Sequence, residues 1–172
     1  MERRRAEGVL LTGVYGSGKS SVAAEMAYLL EQQGAGYALL DLDYLGWGGK
    51  GDGDTAGEFA LMTANLAAVA RNYRKAGIRL FVLAWFARDA GQLEAVREAL
   101  GLPLRVVRLA VPLAAISHRL ASDVTAGRPD DLRAAAASIA AAEGTGIEDL
   151  VISNDRSVRA VAQETMDWLG WQ

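Results

Sequence analysis

The sequence predicts an α/β domain, a three-layer sandwich in which a five-stranded parallel sheet is covered by helices on both faces. Three observations carry that expectation. Strand-like apolar runs alternate with helical patterns along the whole chain, as parallel strands joined by helical crossovers require. A glycine-rich turn, Gly13-Val14-Tyr15-Gly16-Ser17-Gly18-Lys19-Ser20, joins the first strand to the first helix, where open parallel sheets place their ligand sites. Finally, 172 residues with no cysteine suffice for one domain whose core needs no disulfide or metal staple.

Each element has a local reason. Val9 to Thr12 read as a buried strand, and Ser20 to Gln33 then run helical, with Val22, Met26, Leu29 and Leu30 on one face and Gly34 past the end. Tyr37 to Leu42 form a second strand ending in Asp41-Leu42-Asp43. On a strand that spacing puts both carboxylates on one face. Gly46 to Gly53 make a mobile loop rich in glycine. Thr55 with Glu58 spells a capping box ahead of a helix that carries Phe59, Leu61, Met62, Leu66 and Val69 and stops at Gly77. Ile78 to Trp85 are the third strand, Asp89 with Gln92 caps a helix from Ala90 to Leu100, and Gly101-Leu102-Pro103 terminates it. Leu104 to Val111 are the fourth strand. Pro112 suits the first turn of a helix reaching about Ala126, which Gly127-Arg128-Pro129 breaks before an alanine-rich helix restarts near Asp130. Val151 and Ile152 mark a short fifth strand, and a last helix after Asp155 presents Val158, Val161, Met166, Trp168 and Leu169.

The glycine-rich turn matches G-x-x-x-x-G-K-[ST], the phosphate-binding loop, in the strand-to-helix context that gives the pattern meaning. Gly13, Gly16 and Gly18 let the backbone bend so that successive N–H groups face phosphate oxygens. Lys19 reaches the β- and γ-phosphates, Ser20 offers a hydroxyl to Mg²⁺, and the helix that opens there aims its positive end at the same anion. The motif's expected ligand is a nucleoside triphosphate with Mg²⁺, ATP in the kinase reading below, held by Gly13, Val14, Tyr15, Gly16, Ser17, Gly18, Lys19, Ser20 and Ser21.

Composition narrows the partners. A formal net charge of −3 offers no broad basic surface for nucleic acid, although Arg3, Arg4 and Arg5 make a short positive tip. That tip reads as a solvated terminus rather than a signal peptide, because the apolar stretch behind it runs only from Val9 to Leu11. No segment approaches the ~20 apolar residues of a membrane span. The expectation is a cytoplasmic monomer or homodimer that engages a nucleoside triphosphate and a small-molecule acceptor. The absence of cysteine excludes thiol chemistry and zinc–thiolate sites.

The order of elements, with its phosphate loop after the first strand, Asp-x-Asp after the second and paired helices after the fourth, resembles the small P-loop kinases. These include shikimate and gluconate kinases, adenylylsulfate kinase, chloramphenicol phosphotransferase and the nucleoside monophosphate kinases. As a pattern of elements the resemblance covers nearly the whole chain; Gly13 to Ser20 is its specific motif and Asp41 to Asp43 a looser one. It implies a single domain over residues 1–172 with the P-loop NTPase fold, strand order 2-3-1-4-5 and a helical lid at about 113–143.

The resemblance also implies roles. Asp43 matches the acid that binds the acceptor hydroxyl or helps hold Mg²⁺, and one oriented carboxylate suffices because phosphoryl transfer depends on positioning and charge stabilisation. The third strand, Leu80 to Trp85, lacks the acid that commonly closes it; the next is Asp89. Either Asp41 and Asp43 join Ser20 around Mg²⁺, as the adenylylsulfate kinase pattern suggests, or Asp89 reaches in while capping its helix. The first is favoured, since Asp89 already has a structural role. Arg88 falls near a substrate-binding arginine of the nucleotide kinases and could clamp an anionic acceptor, with Trp85 and Phe86 as an apolar wall. Arg119 and Arg128 fall in the lid, as cations for the γ-phosphate, while Asp123 stands where a second lid arginine is common. His118, the single histidine, reads as a solvated side chain. Asn154, in the loop after the last strand, either contacts the base or caps the last helix together with Ser153 or Asp155. Lys50 and Trp47 could reach inward from the glycine-rich loop.

The expected function is an ATP-dependent phosphotransferase that moves the γ-phosphate to a small hydroxylated or anionic metabolite. The alternative is a nucleotide-binding ATPase, switch or regulatory module without an acceptor. The missing third-strand acid favours that alternative; the Asp-x-Asp pair and the lack of a GTPase N-K-x-D element favour the kinase.

Overall fold

A strand that is apolar on both faces can only lie inside a sheet, and Val9, Leu10 and Leu11 are each fully buried. The computed structural model, which describes residues 5–48, 54–112, 114–116, 118, 137 and 146–172, accordingly places β1 (Glu7–Thr12) at the centre of a five-stranded sheet. Around it lie β2 (Tyr37–Asp41), β3 (Leu80–Ala84), β4 (Leu104–Ala110) and β5 (Leu150–Ser153) in the order β2-β3-β1-β4-β5. Every pair is parallel. All C-terminal strand ends therefore point the same way, and β1 is flanked by β3 and β4 where it hands the chain to the phosphate loop.

Two apolar layers fix the helices. On one face α1 (Lys19–Gln32) and α5 (Val158–Leu169) set Val22, Met26, Leu30, Val161 and Met166 against Val9, Leu11, Val82 and Val107. On the other, α3 (Thr55–Lys75) and α4 (Ala90–Leu100) set Met62, Leu66, Leu93 and Val96 against Leu10, Phe81, Leu83 and Val106. The core residues expected from the helical periodicity of α1 are buried as expected. Among the described residues, no helix is long and apolar enough to cross a membrane.

The structure corrects several boundaries. The second strand stops at Asp41, and the chain turns at once into a short helix, α2 (Leu42–Gly46). The cause is local: the Asp41 carboxylate accepts the Asp43 N–H at 3.2 Å, and this cap competes with continuation of the strand. Asp41 and Asp43 therefore do not share a strand face. The cap of α3 is Asp54, which accepts the Gly57 N–H at 2.9 Å, so Thr55 is the first helical residue rather than the cap. Ser157 caps α5 through the Ala160 N–H at 3.3 Å, three residues beyond Asn154. Asp89 caps α4 as expected, accepting the Gln92 N–H at 2.8 Å. Of the expected lid, residues 114–116, 118 and 137 are described and helical, and His118 is exposed; Arg119, Asp123 and Arg128 lie outside the described residues, as does Lys50.

At the opposite end of the sheet the C-terminus is fastened to β1. Trp171 is fully buried, and its Nε1 donates to Glu7 at 2.9 Å. Arg105 donates to the Leu169 carbonyl at 2.7 Å and to Glu7 at 3.1 Å, and lies over the Trp168 ring at 5.1 Å. Removing the indole leaves a cavity and takes one of its hydrogen bonds from the Glu7 carboxylate. Trp171→Ala should therefore cost about 3–5 kcal/mol in urea unfolding, the range for aromatic-to-alanine changes in cores.

Candidate functional site

The phosphate loop has the backbone its glycines allow. Gly13, Gly16 and Gly18 have φ of 143, 77 and 91°, in a region that side chains disfavour. A Cβ on Gly13 would stand 2.8 Å from the Leu109 carbonyl oxygen and from Ser17 Oγ, so the loop is packed tightly on the end of β4. Gly18 is the N-cap of α1 and has no side chain to cap it, which leaves the first amide groups of a 14-residue helix open toward an anion. Val14 is buried against Val111 and Ile116, so it can meet a ligand only through its backbone. Tyr15 is half exposed at the cavity wall.

Lys19 folds back over the loop, donating to the Gly13 and Val14 carbonyls at 2.9 and 3.1 Å. Burial lowers its pKa, and the charges of Asp43 and Asp41 oppose that shift. Ser20 Oγ donates to Asp41 Oδ2 at 2.8 Å, which joins the phosphate loop to the end of β2. Asp43 lines the same cavity as Lys19 from the first turn of α2. Partial burial of its carboxyl raises its pKa, and the neighbouring Asp41 charge raises it further. Lys19 and a hydrogen bond from the Trp85 side chain pull the other way.

These groups fit Mg²⁺. The ion prefers hard oxygen donors and is commonly held by one or two carboxylates plus substrate phosphates and water. Ser20 and Asp41 present a hydroxyl and a carboxylate at one point, with Asp43 beside them. Asp89 is turned to the amide groups of its own helix.

The cavity beyond the loop measures about 860 Å³. Of the residues singled out from sequence, Trp85, Phe86 and Arg88 line it. Trp85 stacks on Phe59 of α3, centroids 5.7 Å apart and planes 18° from parallel, which makes a continuous aromatic wall. Trp47 takes no part: it is 80% exposed and stacks on Tyr44. Sequence reasoning missed Thr55, Glu58, Phe59 and Met62 as wall residues, because all four fall on the first two turns of α3 and read there as cap and core. It also missed Arg108, which lines the cavity from β4 and pairs with Glu148 at 3.1 Å. The available signal was a pair of arginines, Arg105 and Arg108, inside the otherwise apolar run Leu104–Ala110. Burial would raise the Glu148 pKa, but hydrogen bonds from the local backbone and from Arg108, together with the Arg108 charge, hold it below the ordinary carboxylate value.

Asn154 is not the cap of the last helix, a place taken by Ser157. It is 1% exposed, its Nδ2 donates to the Ser17 carbonyl at 2.7 Å, and its backbone N–H donates to the Ala110 carbonyl at 2.8 Å. It does not cap α5, and its amide faces the phosphate loop from below.

With this geometry in place, the comparisons with known proteins become informative. No protein-family model and no curated protein matches the chain. Solved structures do match over nearly its whole length. A tunicamycin resistance protein of Deinococcus radiodurans aligns with TM-score 0.71 and 19% identity over 96% of each chain. A shikimate kinase of Acinetobacter baumannii, solved with shikimate, aligns with TM-score 0.68 and 18% identity over 98% of this chain and 95% of its own. An APS kinase of Mycobacterium tuberculosis, solved with AMPPNP and APS, aligns with TM-score 0.62 and 27% identity over 96% of this chain and 98% of its own. The fold is that of the P-loop kinases. The resemblance first read from the order of elements therefore holds in three dimensions, and the expected strand order with it.

The charge arrangement has a thermodynamic consequence. A carboxyl whose pKa is raised by folding binds its proton more tightly in the native state than in the unfolded chain, so native stability falls as pH rises through the interval between the ordinary aspartate value and the raised one. Asp43→Asn removes that penalty. In metal-free buffer the variant should melt at higher temperature than the parent at neutral pH, and the difference should vanish once the pH is below the ordinary aspartate range. Thermal scans at several pH values check both statements.

Proposed function

We propose that this protein is a small-molecule kinase that transfers the γ-phosphate of ATP to a hydroxylated or anionic metabolite. The observation that carries the reading is the presence of Lys19 and Asp43 in one cavity that continues past the phosphate loop to an aromatic wall and Arg88. A nucleotide switch needs the loop; it has no need of a carboxylate facing a second compartment. The solved structures it resembles support the same reading, since they include a shikimate kinase with shikimate and an APS kinase holding AMPPNP and APS.

In this reading each residue has a defined task. The N–H groups of the loop and the start of α1 take the phosphate oxygens, and Lys19 leaves its carbonyl partners to follow the β- and γ-phosphates. Ser20 and Asp41 hold Mg²⁺, which when bound neutralises charge on the phosphates. Asp43 orients the acceptor hydroxyl and accepts its proton as that oxygen bonds to the γ-phosphorus and the bond to the β-phosphate oxygen breaks. Arg88 can hold an anionic group on the acceptor, and Phe59 and Trp85 pack against its body. Arg108 is already partnered by Glu148, so it shapes the wall.

Transfer from γ-labelled ATP into a metabolite panel tests the proposal. One acceptor should be labelled strongly. Asp43→Asn should lower that transfer by about 10²–10⁴-fold, the range for a general base, while ATP still binds. Lys19→Ala should lose nucleotide affinity itself. Slow ATP hydrolysis with no labelled acceptor, indifferent to Asp43→Asn, would establish the switch instead.

A further inference from the structure

We infer that Asn154 is a positioning residue for the nucleotide phosphates: by holding the Ser17 carbonyl it aims the Gly18 N–H into the phosphate loop. The inference rests on the reading of Gly13 to Ser20 as a nucleotide site and assigns a task in that site to a residue 137 positions from its partner.

The peptide plane between Ser17 and Gly18 sets the direction of the Gly18 N–H. No described peptide bond is cis, and in a trans peptide the C=O and N–H point in opposite directions. The Ser17 carbonyl points down to Asn154 Nδ2 at 2.7 Å. The Gly18 N–H must therefore point up, toward the concave side where an anion would sit. Glycine alone does not hold that direction. Gly18 has φ 91° and ψ 18°, and without a Cβ it resists rotation of the preceding peptide less than any other residue.

The restraint has to come from outside the loop, and Asn154 is built to provide it. Its own N–H is fixed to the Ala110 carbonyl at the end of β4 at 2.8 Å, so the side chain starts from the sheet rather than from a mobile surface. Ser17 is fully buried and Asn154 is 1% exposed, so water does not compete for the bond. The group is also neutral: an aspartate here would accept rather than donate, repel the Ser17 carbonyl and bring negative charge beneath the phosphates. A donor of fixed direction, on a backbone that is otherwise free to turn, is pre-organisation of an anion site.

The test separates this task from contact with the base and from simple structural support. Binding of ATP, inorganic triphosphate and adenosine is measured by calorimetry on the full chain, parent and Asn154→Ala. The variant should bind ATP and inorganic triphosphate each about tenfold more weakly, ~1.4 kcal/mol, and adenosine as well as the parent does. In ¹⁵N-labelled parent protein the Gly18 amide proton should move downfield when triphosphate is added, and in the variant that movement should shrink. Asn154→Asp keeps the shape but replaces the hydrogen bond with two acceptors facing each other, so where it folds it should lose more triphosphate affinity than Asn154→Ala; the Gly18 shift in the parent protein tests the direction of that N–H even if neither variant folds, and its absence would overturn the inference. Loss of adenosine affinity with triphosphate binding intact would overturn the inference in favour of a base contact. An equal loss for all three ligands would overturn it in favour of a scaffold role. A parent protein that binds no triphosphate would instead remove the nucleotide reading beneath it.

Discussion

Much of the molecule depends on one constraint, the turn from β1 into α1. That turn must present several N–H groups to one point, which requires positive φ at Gly13, Gly16 and Gly18, and it must do so directly above a fully buried strand. A backbone so free to move would not keep its shape in isolation. The sheet supplies what the glycines lack: Leu109 closes against Gly13, Asn154 takes the Ser17 carbonyl, and Asp41 takes the Ser20 hydroxyl. The three contacts come from β4, from the loop after β5 and from the end of β2, so the loop is braced by strands on both sides of β1.

The same arrangement explains why charge can gather there. Lys19 is disfavoured by burial, and Asp43 by burial and by Asp41. Each partly relieves the other. Such a cluster lowers the stability of the chain alone and gains when an anion and a cation enter together, as a triphosphate with Mg²⁺ would. The missing acid at the end of β3 fits this picture: the carboxylates come from the β2 side, and Trp85 occupies the place after β3 as part of the aromatic wall with Phe59.

A good deal of this was legible in the linear sequence. Strand and helix alternation, the central buried strand, the Asp89 cap and the phosphate loop all follow from periodicity or from a motif whose residues are close in the chain. These features have local causes, so local patterns report them. The end of β2 was misread for a related reason. Apolar alternation through Leu42 favoured a longer strand, and the hydrogen bond from Asp43 N–H to Asp41 that stops it is equally local but leaves no mark in hydrophobicity.

By itself, then, the sequence determined the layers and the phosphate loop, and it singled out Asp41 and Asp43 at the end of the second strand. The tertiary structure decided which distant residues meet them. Phe59 and Met62 look like ordinary core positions of α3 until Trp85 comes to rest on one of them; Arg108 is an odd cation in a strand until Glu148 appears beside it; and Asn154 is a loop asparagine until the fold sets it beneath Ser17. The reason is physical. Those roles are properties of contacts between segments far apart in the chain, and such contacts exist only once the sheet has brought its strand ends together.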